Sequence, residues 1–436
     1  MMLKNSFTSE AEFADKLSTV FQPAQPIKRE ELLRGRSTQL TAIRRSLASP
    51  GTHVFIYGDR GIGKTSLAQT ASSLHQDVEI GDIIVSCADD ADFYSLVEDM
   101  ACALDDKFSS TERKEIEKSG SLNLGIGGGN LKERLEQGII PKISSINEAT
   151  QLLREICERR NINPVVIIDE FDQLSNDKDK KLFADLVKRV SDTSVPVRFI
   201  FCGIGSSLEE LIGVHLSTDR YLATIELDPI KHEARWEIIR SAANEFGLIV
   251  DRETEIRIGH ISDGFPYYIH LIGQNMFWAM YDDTGFEGKE LTVDHFQRGV
   301  KGAVQNAVRS LKMTYEKATQ KYESTQQYDH VLWAVVANAN FERPLTDIFE
   351  KSYLPLCRAM SVDPVEKRAF SNRLAQLTKS THGEVLMRPR RSWYKFRENI
   401  MRGYVHLTAE NAGVQLNPDH YLASKAAITY AKPKNP

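Results

Sequence analysis

Gly58-Asp-Arg-Gly-Ile-Gly-Lys-Thr65 decides how this chain is read. The apolar run Thr52-His-Val-Phe-Ile-Tyr57 precedes it, and Ser66-Leu-Ala-Gln-Thr-Ala-Ser72, which has the composition of a helix, follows. Strand, glycine-rich turn and helix in that order make a phosphate-binding loop. Gly58, Gly61 and Gly63 let the backbone curl until its N–H groups point inward, with Asp59, Arg60 and Ile62 completing the cradle. The helix behind, with Ser66 in its first turn, adds the positive end of its dipole. At this spacing Lys64 reaches the β- and γ-phosphates of ATP, and the Thr65 hydroxyl sits on Mg²⁺.

Downstream, Pro164-Val-Val-Ile-Ile-Asp-Glu-Phe-Asp172 is the second strong signal. Four apolar residues ending in two acids describe a buried parallel strand with carboxylates at its C-terminal edge. Asp169 is placed to hold Mg²⁺, directly or through water, and Glu170 to polarise the attacking water. These readings put the amide cradle and the acids at the ends of two neighbouring strands. Phe171 and Asp172 read as structural or interface residues.

The bulk composition narrows the class. A chain of 436 residues exceeds one ordinary domain, so two or three are expected. At 41% hydrophobic and 26% charged it reads as a soluble globular protein. No apolar run has the length of a membrane span, and Met1 to Glu10 lacks the apolar core of a signal peptide. Cys87, Cys102, Cys157, Cys202 and Cys357 are scattered, which suggests reduced thiols in a cytoplasm. The net charge of −5 means that any nucleic-acid surface must be local.

Around the two motifs the elements alternate. Asp82–Cys87, Val197–Gly203 and Ala223–Leu227 read as strands; Asp92–Leu104, Ile146–Arg159 and Asp177–Val190 read as helices. The glycine-rich stretch Gly120–Gly129 reads as a surface insertion. Past residue 230 strands vanish, and helical spacing runs over His232–Phe246, Asp251–Ser262, Tyr267–Met280 and Val293–Ala318. Together with Leu33-Arg-Gly-Arg36 ahead of the loop, this order resembles the AAA+ and STAND ATPases. The resemblance implies that the Gly-Arg element lies against the adenine. It also implies that Ser206 or Ser207, after the Val197–Gly203 strand, senses the γ-phosphate, although a serine capping a helix from Leu208 fits the same residues. Arg220 falls where these families place an arginine that reaches a neighbouring subunit's nucleotide, or in some branches the same subunit's. The helical stretch matches the family's lid, except that Tyr267 stands where a second-sensor arginine is usual.

A third unit follows the polar link after Thr319. Tyr328–Ala339, Leu345–Met360 and Val365–Thr378 read as helices, and Glu384–Met387 and Trp393–Phe396 as two short strands. This is similar to the winged helices of archaeal and eukaryotic origin-recognition initiators. Arg388, Arg390, Arg391, Lys395, Arg397 and Arg402 face a single acid, Glu398, over this stretch. Arg388, Arg390, Arg391 and Lys395 are therefore the candidates for duplex DNA phosphates. Residues 406–436 are mostly polar and suggest a loose tail.

The expected fold class is α/β: a P-loop NTPase parallel sheet with a helical lid and a C-terminal winged-helix domain. The expected divisions are an arm (1–30), an ATPase core (31–229), a lid (230–320), a winged helix (321–410) and a tail (411–436). The implied activity is ATP hydrolysis by a homo-oligomeric switch, with ATP and Mg²⁺ as cofactors and Glu170, Lys64 and Arg220 as catalytic residues. Duplex DNA is one partner; the alternative is a STAND-type signalling or defence ATPase whose C-terminal unit binds a protein effector. No membrane partner is implied.

Overall fold

The computed structural model describes residue 7 and residues 9–76, 81–88, 90–104, 135, 140, 142–205, 220–319 and 327–416. These form two compact units. One holds residues 26–58 and 63–228; the other holds the chain up to residue 25, residues 59–62, and the chain from residue 229 onward. The Gly120–Gly129 insertion and both candidate sensor serines, Ser206 and Ser207, lie outside the described residues.

The first unit is built on five strands: β1 (His53–Gly58), β2 (Ile83–Ser86), β3 (Val165–Asp169), β4 (Arg198–Gly203) and β5 (Leu222–Leu227). Their order is β2-β3-β4-β1-β5, and every pairing is parallel. The continuous apolar runs explain this, because a parallel strand flanked by crossover helices is buried on both faces. Val54, Phe55 and Ile56 of β1 and Val165 to Ile168 of β3 have no exposed surface. Phe55, Phe171, Phe183 and Phe201 pack edge-on and stacked, with ring centres 5.3–6.0 Å apart.

One expectation is corrected here. The cradle strand β1 and the acid strand β3 are not neighbours; β4 lies between them, with Ile56 opposite Cys202 and Ile168 opposite Phe201. Order along the chain does not set order across a sheet, because a crossover helix can carry the chain past an occupied position. The helix Lys64–His75 packs across β1, β4 and β3 and so spans the gap.

The second unit is mostly helical. His232–Glu245, Arg252–Ile261, Pro266–Tyr281 and Val293–Asn306 form its centre, and Pro266 opens its helix at the position where a missing N–H costs nothing. Gly299 permits a close helix–helix approach: a Cβ there would stand 2.8 Å from Met276 Cα. The single helix expected over Val293–Ala318 is two, Val293–Asn306 and Arg309–Thr319. Ala307 turns extended between them (φ −60°, ψ 152°), and the Val308 N–H donates to Tyr267 Oη at 3.0 Å instead of to a helical carbonyl.

Within the segment expected to be an arm, one helix contributes to the hydrophobic core. Helix Glu10–Val20 is capped by Ser9, whose hydroxyl accepts from the Glu12 N–H. Phe13, Leu17 and Val20 are buried on one face, and the Phe13 ring stacks on Tyr281 at 4.3 Å and meets Phe246 and Trp278 edge-on. Burial of one such ring stabilises by about 1.5–3 kcal/mol.

Beyond residue 327 come the helix Gln327–Val336, a broken helix, and Lys367–Gln376. The broken one runs Leu345–Ile348, widens to a π turn at Phe349–Tyr353, and continues as Leu354–Met360. Pro355 explains the widening, because it has no N–H for the Lys351 carbonyl and its ring needs the extra room. Arg343–Pro344, Trp393–Phe396 and Leu386–Met387 form a three-stranded antiparallel sheet with Trp393–Phe396 in the middle. The helix Ile400–Asn411 follows. Leu407 and Ala409 are fully buried, so residues 406–411 are part of the core and not the start of a tail. Among the described residues no helix is long and apolar enough to cross a membrane.

Candidate nucleotide site and basic hairpin

β1 delivers the loop at Gly58 (φ 151°), and Gly63 closes it in the left-handed region (φ 98°, ψ 27°). Among the described residues no side-chain hydrogen bond caps the helix Lys64–His75 at Gly63, and the positive end of the helix dipole lies at the loop. Among the described residues, nothing beyond its chain neighbours lies within 4 Å of where a Gly63 Cβ would stand. Lys64 Nζ donates to Gly58 O at 2.9 Å, folding the ammonium over its own loop. Thr65 Oγ1 donates to Asp169 Oδ2 at 2.7 Å, which brings the two residues read as metal ligands together across β4.

Ser66 stands in the first turn of the helix Lys64–His75, as its sequence position implies. Its hydroxyl accepts from the Ile27 N–H at 3.0 Å, and Thr70 Oγ1 donates to Ile27 O at 3.1 Å. Ser66 thus fastens the preceding extended segment to the loop's helix. Arg36 of the Gly-Arg element is buried. Desolvation lowers its pKa to about 10, and the charge of Asp228 acts the other way.

Residues 59–62, the crown of the loop, group with the second unit. There Asp59 Oδ2 accepts from Asn399 Nδ2 at 2.9 Å, and a Cβ on Gly61 (φ 76°) would collide with Ile400 Cδ1. Arg60 is exposed and Ile62 buried.

The acids are held by the end of β3. The Asp169 carbonyl accepts from the Cys87 N–H at 2.9 Å, and Asp169 Oδ1 accepts from the Glu170 N–H at 2.9 Å. Glu170 is exposed and sits in the left-handed region (φ 54°, ψ 38°), a strained backbone for a residue with a side chain. Phe171, fully buried in the phenylalanine cluster, pins the turn, and the Gln173 N–H closes it on Glu170 O at 2.8 Å. Burial, then the carboxylates of Asp169, Asp172 and Glu170, push the Cys87 thiol up to about 12. Burial and the Asp169 charge also raise Cys202, against the pull of Lys64. Both shifts disfavour the thiolate, the nucleophilic form of cysteine.

Arg220 is exposed at the start of β5, its guanidinium 5.8 Å from the centre of the Tyr221 ring. Tyr267 is half-buried, and its hydroxyl is committed to the Val308 N–H.

A family described as an ATPase domain predominantly from Archaea matches residues 34–272, more than half of the chain. The chain belongs to this family. It is an ATPase. Among solved structures, a Walker-type ATPase of Pyrococcus abyssi is similar in fold, with a TM-score of 0.52 and 16% identity over 88% of this chain and 98% of that one. Cdc6p of Pyrobaculum aerophilum matches at a TM-score of 0.44 and 14% identity, covering 90% of this chain and 98% of its own. The ORC2 protein of Aeropyrum pernix matches at 0.45 and 15%, covering 91% and 98%. No curated protein matches the sequence.

The ATPase also carries the basic hairpin. Arg388, Arg390 and Arg391 are exposed and Lys395 half-buried. The Arg390 guanidinium lies 3.6 Å from the centre of the Trp393 ring and pairs with Glu342 at 3.2 Å; Arg388 lies 5.1 Å from the centre of the Tyr394 ring. Stacking on these rings keeps the long side chains extended over the hairpin. Two of the basic residues counted in the sequence do not contribute in the same way. Arg397 is exposed but pairs with Glu384 at 2.7 Å. Arg402 is wholly buried, bonded to the Asp263 carboxylate and to Asn338 O at 2.8 Å, with its guanidinium 4.5 Å from the centre of the Phe341 ring. Sequence reading missed Asn399, because a lone polar residue at a helix start carries no local signal.

Proposed function

We propose that this ATPase is a molecular switch that binds MgATP and acts on duplex DNA through its C-terminal part. The three-stranded sheet and the helices around it are read as a winged helix spanning residues 321–410. The ATPase core is assigned to residues 31–229 and the lid to 230–320. The observation that carries the DNA reading is the hairpin. Arg388, Arg390, Arg391 and Lys395 gather there in a chain whose net charge is −5. Only a local concentration of this kind can attract a polyanion to an acidic protein.

In the ATPase site, Thr65 Oγ1 and Asp169 Oδ2 would hold Mg²⁺. Their 2.7 Å separation is close to the roughly 2.9 Å between adjacent ligands of an octahedral ion with bonds of about 2.0–2.1 Å. When bound, the metal neutralises charge on the phosphates. Lys64 would turn from Gly58 O to the β- and γ-phosphates, and the helix N–H groups at the loop would hold their oxygens. Glu170 would accept a proton from the attacking water, its carboxylate set apart from Asp169 by the left-handed turn. Arg220 would act on the nucleotide of a neighbouring subunit in a homo-oligomer, where a planar guanidinium stabilises charge on the transferring phosphoryl group.

Binding to a labelled duplex, followed by anisotropy between about 50 and 200 mM salt, tests the DNA reading. Affinity should fall steeply with salt. Arg390→Ala plus Arg391→Ala should weaken it and reduce the log–log slope by about 2, near 0.9 for each lost charge. No binding at the low-salt end, with ATP hydrolysis intact and a protein partner retained through purification, would favour a signalling ATPase instead.

A further inference from the structure

We propose that Asn399 and Ile400 are positioning residues for the phosphate loop of this ATPase. Asn399 Nδ2 donates to Asp59 Oδ2 at 2.9 Å. One residue on, the tip of the Ile400 side chain lies against Gly61, in the space a Cβ there would take. The loop crown is therefore held at two points, one polar and one apolar, by a single turn of backbone at the start of the last helix.

That turn is itself anchored. The Ile400 carbonyl accepts from Tyr268 Oη at 2.7 Å, and two residues later the buried Arg402 bonds to the Asp263 carboxylate. Gly403 lets the Tyr268 ring lie flush, since a Cβ there would overlap the ring. The clamp is thus bonded to the helix Pro266–Tyr281 and to the turn before it, in the same unit.

The remaining oxygen of the clamp points to a use in the bound state. Asn399 Oδ1 is buried and has no hydrogen-bond partner among the described residues. A buried amide with an unused acceptor beside a loop rich in N–H donors can take one of those donors when the loop rearranges. The clamp would then select the loop conformation whose amides face the phosphates. It acts on affinity for the nucleotide through Asp59 and Gly61, and it does not touch the reacting atoms.

The test is a reciprocal exchange in the full-length ATPase. Asn399→Asp sets two carboxylates face to face and should raise KM for MgATP about tenfold, with kcat changed much less. Asp59→Asn combined with Asn399→Asp restores one donor and one acceptor with their positions swapped, and should return KM to within about threefold of the parent. A role in folding alone would lower kcat and the unfolding temperature together, leave KM in place and show no rescue. Either an unchanged KM in Asn399→Asp or a double variant no better than the single one overturns the proposal. Ile400→Ala guards against a misfolded Asn399→Asp protein: it should also raise KM while keeping its unfolding cooperative, and a KM equal to the parent's counts against the clamp.

Discussion

Replacing Glu170 by glycine and by glutamine separates its chemical role from its conformational cost. Both variants remove the carboxylate proposed to activate water, and general-base catalysis contributes about 10²–10⁴ in rate. Hydrolysis should fall by that factor in each, equivalent to about 3–5 kcal/mol of barrier. Their stabilities should differ. Glu170 holds φ 54° and ψ 38°, and a left-handed backbone costs a residue with a Cβ about 1–2 kcal/mol. Glycine escapes that cost but adds about 0.5–1 kcal/mol through its extra freedom in the unfolded chain. The Glu170 side chain is exposed, so no packing is lost. Glu170→Gly should therefore unfold at higher denaturant than Glu170→Gln, by about 0.5–1 kcal/mol. Single-turnover hydrolysis of bound ATP and urea unfolding followed by far-UV circular dichroism measure the two quantities. If Glu170→Gly is the less stable of the pair, the strain argument fails. If either variant hydrolyses ATP within about tenfold of the parent, Glu170 is not the base.

Three other outcomes follow from the same structure. His53 is completely buried, its Nδ1 accepting from the Phe199 N–H at 3.0 Å, and burial and the Arg198 charge lower its pKa from 6.5 to about 3. The unfolded chain binds that proton near pH 6.5 and the folded one near 3, so this contribution to stability is whole above about 6.5 and is lost as pH falls towards 3. About 2 kcal/mol should be gone at roughly pH 5, and His53→Gln should show a smaller drop between pH 7 and 5 in urea titrations; an equal drop would clear His53 of the effect. Arg402→Met leaves the half-buried Asp263 carboxylate without its cation and should cost about 3 kcal/mol in chemical unfolding, with a loss under about 1 kcal/mol contradicting the paired-charge reading. Should Arg220 work across a subunit interface, specific ATPase activity will climb with protein concentration in the parent and stay flat in Arg220→Ala, whereas parallel behaviour of the two would rule it out.

Much of the ATPase was open to sequence reading, for a physical reason. A phosphate cradle needs glycines at fixed steps followed by Lys64 and Thr65, and a buried parallel strand needs the run Val165 to Ile168 before its acids. These demands are local, so they leave local marks, and fold class and family could be read from them. The break at Ala307 left none: residues 293–318 keep helical spacing throughout, and the chain turns extended where Tyr267 offers a hydroxyl to the Val308 N–H. Likewise Phe13 belongs to a stretch read as an arm, and only the tertiary structure brings Phe246, Trp278 and Tyr281 around it.

Charge and order belong wholly to the tertiary structure. By composition Arg402 looks like one more cation of the hairpin; only burial against Asp263 removes it from the surface. The insertion of β4 between β1 and β3, and the hold of Asn399 on Asp59, join residues far apart in the chain. The sequence by itself determined which residue types could grip a phosphate chain, because that chemistry is written in adjacent positions. Tertiary structure decided which side chains meet, because contact across the sheet and at the loop crown depends on packing that no short window contains.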